Sequence, residues 1–142
     1  MSHRIRILLV DDSPLIRGLI RTGIQERTNW LVCGEAENGK DAVEMVNELK
    51  PDVVILDLQM PVMNGLEAAQ HIAQIAPSTL MLMFTMHKSE QLVRMAQQVG
   101  IKDVLSKSGE GTQNVIFAIR NILESQTSTP ASTPSPNPSV PS

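Results

Sequence analysis

The stretch Val53-Val54-Ile55-Leu56-Asp57 decides the fold: an apolar run of strand length stops on a carboxylate. Three further runs follow the same plan. Ile7-Leu8-Leu9-Val10 ends in Asp11-Asp12, Leu80-Met81-Leu82-Met83-Phe84 ends in Thr85, and the shorter Val104-Leu105-Ser106 ends in Lys107. Continuous apolar strands of this kind are buried on both faces, as in a parallel sheet, whose carboxyl edge is where polar groups gather into a site. Three acids, one hydroxyl and one amine converging there would make a metal-assisted phosphoryl acceptor.

Helical periods fill the intervals. Ser13 can cap a first helix with Pro14 at its first position, and Leu15, Ile16, Leu19, Ile20 and Ile24 keep a helical stripe. Trp30-Leu31-Val32-Cys33 reads as the second strand. Asn38 opens a second helix with Ala42, Val43, Val46 and Leu49 facing inward, stopped by Pro51. The third helix opens near Asn64-Gly65, carries Leu66, Ala69, Ile72 and Ala73, and ends before Pro77. Leu92, Val93, Met95, Ala96 and Val99 mark a fourth, closed by Gly100, and Val115, Ile116, Ile119, Ile122 and Leu123 a fifth. These βα units show no internal repeat. They predict an α/β fold: a doubly wound, five-stranded parallel sheet of flavodoxin-like order 2-1-3-4-5 with five helices on its two faces.

The 142 residues, 42% of them hydrophobic, and a net charge of −3 fit one ordinary domain with a core of its own. There is no basic excess to hold a nucleic-acid backbone, so no direct nucleic-acid partner is expected. The lone Cys33 excludes a disulfide framework and a multi-thiolate zinc site; it reads as a small hydrophobe in a strand. Arg4 and Arg6 precede an apolar run as in a secretion signal, but the run is too short and Asp11-Asp12 ends it. No segment approaches a membrane span, and a cytoplasmic location is expected. Composition changes at Ser125: of the 18 residues from there to Ser142, 14 are Ser, Thr or Pro. The expected division is a folded domain over 1–124 and a disordered tail over 125–142.

In the order 2-1-3-4-5 the first and third strands are neighbours, which sets Asp11 and Asp12 beside Asp57. Three carboxylates so close repel one another, and a hard divalent cation relieves them. Magnesium suits best, because it takes few carboxylates, keeps several waters and accepts phosphate oxygens. One carboxylate can then attack an activated phosphorus to give an aspartyl phosphate. Mg²⁺, the Lys107 ammonium and the Thr85 hydroxyl would each cover one equatorial oxygen.

Ile7 to Pro14 (ILLVDDSP), Pro51 to Gly65 (PDVVILDLQMPVMNG), Thr85 and Lys107 together resemble the response-regulator receiver domain of two-component signalling. Asn38-Gly39-Lys40-Asp41-Ala42 and Asn64-Gly65-Leu66-Glu67-Ala68 are most similar to its NarL/FixJ subfamily. The resemblance implies a phosphoacceptor domain rather than an enzyme, with Asp57 receiving its phosphoryl group from a sensor histidine kinase or phosphotransfer protein. It makes Asp12 the direct Mg²⁺ ligand, Asp11 the carboxylate acting through water, and the backbone carbonyl of Gln59 a further ligand. Thr85 matches the switch hydroxyl and Lys107 the phosphate-binding lysine. Output would pass to an unidentified downstream protein, with homodimerisation through the face of the fourth helix, fifth strand and fifth helix.

Three positions depart from the family pattern. Val104 stands where receivers often carry an aromatic that swings inward, so movement of Thr85 and its loop is expected to carry more of the signal. Ser108 replaces a frequent Pro, and a looser loop is expected there. Met86 replaces Ala or Gly beside the phosphoryl group and should narrow the approach of donor and water. His87 lies where receivers face the attacking water; it reads either as tuning dephosphorylation or as an exposed loop histidine. His71 reads as a helix-surface residue.

The alternative reading is a receiver lacking the DNA-binding domain of a NarL/FixJ-type regulator; the Pro-rich tail fits a linker, while no residues remain for DNA contact. A flavodoxin-like electron carrier needs a hydroxyl- and glycine-rich phosphate loop and flanking aromatics, where this chain has Asp-Asp-Ser-Pro, one Trp and no Tyr. A haloacid-dehalogenase-type hydrolase needs a second Asp two residues after its nucleophile, and here Gln59 stands there.

Overall fold

A computed structural model describes residues 3–108 and 111–128. Strand and helix alternate throughout: β1 (Arg6–Val10), α1 (Pro14–Arg27), β2 (Leu31–Ala36), α2 (Gly39–Leu49), β3 (Val53–Leu56), α3 (Gly65–Ile75), β4 (Leu80–Thr85), α4 (Glu90–Gln98), β5 (Asp103–Ser106) and α5 (Thr112–Ser128). The five strands form one parallel sheet in the order β2-β1-β3-β4-β5, as the sequence predicts.

Side chains alternate across each strand and so feed two cores. Leu8, Val10, Val54, Leu56, Met81 and Met83 point to one face, where Ala42 and Val46 of α2, Ala69 and Ile72 of α3, and Leu92 and Ala96 of α4 cover them. Ile7, Leu9, Val53, Ile55, Leu82 and Phe84 point to the other, beneath Ile20 and Ile24 of α1 and Val115 and Ile119 of α5. Every helix therefore begins at the carboxyl edge of the sheet, and local chemistry fixes four of those starts. The Ser13 hydroxyl accepts the Ile16 amide (3.2 Å) with Pro14 next in line, Asn38 accepts the Asp41 amide (2.8 Å), and Ser89 accepts the Leu92 amide (3.0 Å). Asn64 and Glu67 satisfy each other's backbone amides in a reciprocal capping box.

Several boundaries differ from the sequence reading. The second strand covers Leu31–Ala36 rather than residues 30–33, because β1 offers it partners as far as Val10↔Ala36. The register slips between Ile7 and Leu8, which leaves Cys33 as the extra residue of a bulge, half-buried, its thiol pushed up by burial. In α1 only Ile20 and Ile24 of the predicted stripe are buried; Leu15 is 70% and Leu19 51% exposed, on the flank of the buried face. Helix α5 continues to Ser128, past the boundary predicted at 124, while residues 129–142 of the predicted tail lie outside the described residues.

Gly65 is where backbone meets backbone: its amide donates to Leu58 O (2.8 Å), and a β-carbon there would lie 2.1 Å from Asp57 O. Gly65→Ala should therefore destabilise the fold by roughly 2 kcal/mol through forced displacement of the strand end. Gly18→Ala, whose β-carbon would meet nothing nearer than an Arg21 nitrogen at 3.6 Å, should instead stabilise it by about 0.5–1 kcal/mol. Urea unfolding of both variants checks the contrast; equal shifts of one sign would refute it.

Candidate functional site

β1 and β3 run side by side in the register Val10↔Leu56, so the next residues of each leave the sheet as neighbours. Both exits are held by backbone bonds: the Asp11 amide donates to Ala36 O and the Asp57 amide to Val10 O, each at 3.0 Å. Asp11, Asp12 and Asp57 consequently bring carboxylate oxygens within 4.8 Å of one another, with Asp11 and Asp57 buried and Asp12 exposed.

Lys107 comes to them from the far side of β4. Its amide donates to Thr85 O (2.8 Å), and its side chain, only 8% exposed, reaches back to the acids. The ammonium stands 2.7 Å from Asp11 Oδ2 and 3.0 Å from Asp57 Oδ2. Burial alone would pull the lysine down; its hydrogen bonds to Asp11 and Asp57 outweigh that and hold the ammonium above the ordinary lysine range. For Asp11 the balance falls the other way. Burial pushes its carboxyl up, the Lys107 ammonium and the Ser13 amide offset this only in part, and the Asp57 charge adds to the rise. The two directions agree once the sharing is considered: one cation serves two acids, so the cation is doubly satisfied and Asp11 only partly.

The remaining acceptor of Asp57, Oδ1, takes the amide of Leu58 at 2.7 Å. Thr85 is fully buried at the end of β4, and its hydroxyl oxygen accepts the His87 amide at 3.2 Å. Over these groups opens a cavity of about 420 Å³ lined by Asp12, Asp57, Gln59, Met60, Met86 and His87. The sequence-predicted Asp11, Asp12, Asp57 and Lys107 thus meet in one cluster; Gln59 stands at the rim, and Thr85 lies one residue behind the Met86–His87 wall.

Among the departures, Val104 is buried in the core shared with Met83 and Ala96. Met86 is 63% exposed at the cavity mouth, and His87 is exposed beside it. The turn at Ser108 is tied rather than loose: the Ser106 and Ser108 hydroxyls are 2.7 Å apart, and the Ser108 amide donates to Ser106 Oγ (3.2 Å). His71 lies on the exposed surface of α3.

Two contributors escaped the sequence reading. The Leu58 amide has no side-chain signature. Arg17, whose guanidinium donates to the Asp11 carbonyl at 2.6 Å, is a cation next to the apolar stripe of α1, and that adjacency is the one signal it gives.

The chain matches the family model for the response regulator receiver domain over residues 7–128. Protein CcdB of Bacillus subtilis (strain 168) is 35% identical over 118 residues, covering 83% of this chain and 97% of CcdB. Response regulator UvrY of Escherichia coli K12 is 38% identical over 86% of this chain, which spans only 56% of UvrY. Among solved structures, a LuxR-family two-component response regulator from Aurantimonas sp. SI85-9A1 aligns with a TM-score of 0.81 and 34% identity over 86% of both chains. With its acids and lysine gathered at the carboxyl edge of a 2-1-3-4-5 sheet, this chain belongs to the response regulator receiver domain family of two-component systems.

Proposed function

We propose that this domain is a phosphorylation switch in which Asp57 takes a phosphoryl group from a phosphohistidine of a sensor kinase or phosphotransfer protein. One observation carries the reading: a buried ammonium bridges Asp57 and Asp11 at the floor of an open acidic cavity. An Asp57 carboxylate oxygen attacks phosphorus, the P–N bond breaks, and its electron pair returns to the imidazole. Lys107 stands 3.0 Å from Asp57 Oδ2, placed to balance charge on one phosphoryl oxygen.

The donor set fits Mg²⁺: three carboxylates offer oxygens within 4.8 Å of one another, and the cavity has room for the waters this ion retains. Asp11, Asp12, Asp57 and the Gln59 carbonyl would hold it. Held there, the ion would supply positive charge against the phosphoryl oxygens and relieve the repulsion among the carboxylates.

Thr85 supplies the switch in the same reading. Its hydroxyl oxygen now accepts the His87 amide; turned to donate to a phosphoryl oxygen, it gives up that bond and releases the turn that begins α4. The message then reaches a downstream protein, and homodimerisation through α4, β5 and α5 belongs to the proposal. Met95 on α4 and Phe117 on α5 leave large apolar side chains exposed, which supports a protein contact. A cytoplasmic setting, with no membrane or direct nucleic-acid contact by the receiver, completes the reading. The partial coverage of UvrY favours a second one, in which the same switch is the receiver part of a longer transcription regulator.

Beryllofluoride with Mg²⁺ should shift the amides of residues 85–88 and 107, and Asp57→Asn should abolish those shifts. Trp30 is a poor reporter, since it precedes β2 at the opposite, amino edge of the sheet. Identical spectra with and without beryllofluoride would reject phospho-switching. Met86→Ala should speed both labelling by a small phosphodonor and loss of the phosphoryl group several-fold, because the long side chain stands at the cavity mouth; unchanged rates in a ³²P assay would remove the steric account.

A further inference from the structure

We propose that Arg17, braced by Glu35, is a positioning residue that sets the Asp11–Asp12 peptide for the divalent cation. The inference rests on the metal reading above.

Arg17 lies in the second turn of α1 with its side chain 17% exposed, and a charge so enclosed needs partners. It has them on two sides. Nη1 donates to the Asp11 carbonyl at 2.6 Å, and Nε donates to Glu35 Oε1 at 2.9 Å. The second oxygen of Glu35 takes Nη1 of Arg21, one turn further along α1. Glu35 is on β2, so the network pins α1 to the strand beside β1 and aims a fixed fork at the acidic turn.

The carbonyl it grips matters because of where it sits. That oxygen belongs to the peptide joining Asp11 to Asp12, and rotation of this peptide swings the Asp12 carboxylate in or out of the cavity. The rest of Asp11 is already fixed: its amide is held by Ala36 O, Oδ1 by the Ser13 amide, and Oδ2 by Lys107. The carbonyl is the last handle, and in a buried residue an unpaired carbonyl drives the backbone to rearrange.

Charge and geometry predict opposite outcomes, which makes the proposal decidable. A guanidinium close to a cation site repels the cation, so if Arg17 mattered only as a charge, its removal would tighten binding. A positioning residue does the reverse, as do the outer-shell partners that orient metal ligands elsewhere. Lysine keeps the charge but cannot serve both Asp11 O and Glu35 with one ammonium.

The test titrates Mg²⁺ into the full chain, following amide shifts and calorimetric heats, with thermal unfolding in EDTA as the control for folding. Arg17→Ala should bind Mg²⁺ about tenfold more weakly, and Arg17→Lys should fail to restore the affinity. Arg17→Met, which keeps the length of the side chain while removing its donors and its charge, should weaken binding to a similar degree, and it carries the test if Arg17→Ala does not fold. Lowered thermal stability with unchanged or tighter Mg²⁺ binding would overturn the proposal and leave the metal reading standing. A wild-type chain that does not bind Mg²⁺ would overturn the metal reading, and this inference with it.

Discussion

Two carboxylates buried side by side at the ends of adjacent strands are tolerable only if a cation sits between them, and here the Lys107 ammonium does so. Removing one member of a buried ion cluster typically costs roughly 3–5 kcal/mol, because the remaining charges are left without compensation. The lysine is delivered by the last strand of the sheet and the acids by the first and third. Their meeting therefore depends on every parallel pairing from β1 to β5 holding its register. A slip of one residue in β5 would turn the lysine away from the acids and toward a helix layer. Site and fold are in this sense one electrostatic construction.

The same arrangement leaves a residual imbalance, which is where function enters. Burial raises the affinity of Asp11 for its proton more than the Lys107 ammonium at 2.7 Å lowers it, and the neighbouring Asp57 charge adds to the rise. Strain of this kind persists at sites selected for binding rather than for stability. The unmet demand is for positive charge presented on the cavity side, where Asp12 is exposed. In the proposed reading a divalent cation would meet it from that side, while Lys107 approaches through the protein interior.

How much of this was legible beforehand follows from what leaves a mark on single residues. Strands β1, β3 and β4 announce themselves by unbroken apolar runs, and the helix starts by Ser13-Pro14, Asn38, Asn64 and Ser89. The second half of β2 does not: Gly34 and Glu35 carry no strand signal and are recruited by pairing with Leu8 and Leu9. Leu15 and Leu19 share the apolar character of the α1 stripe but not its buried face. Helix α5 runs on through Ser125 to Ser128, polar residues carried by continuation of a helix already formed. At the site, residue types and order gave Asp11, Asp12, Asp57 and Lys107. The backbone donors and the Arg17–Glu35 brace became visible only with the turn in three dimensions.

The absence of an aromatic three residues before Lys107 shapes what can move. Val104 is stiff at its first side-chain torsion, buried among Met83, Leu92 and Ala96, and too short to act as a lever; swinging it would open a void in the core. The Thr85 hydroxyl is differently placed. Its partner is a single amide two residues on, in a turn whose Met86 and His87 are exposed and whose exit is capped by Ser89. Exchanging one hydrogen bond for another at Thr85 therefore displaces surface residues at small cost in packing. Met86 and His87 also line the cavity, so in the proposed switch the segment that would report phosphorylation is the one a donor or water would pass on its way to Asp57. In the proposed switch, signal strength and signal lifetime would then be set by the same few residues, Thr85, Met86 and His87.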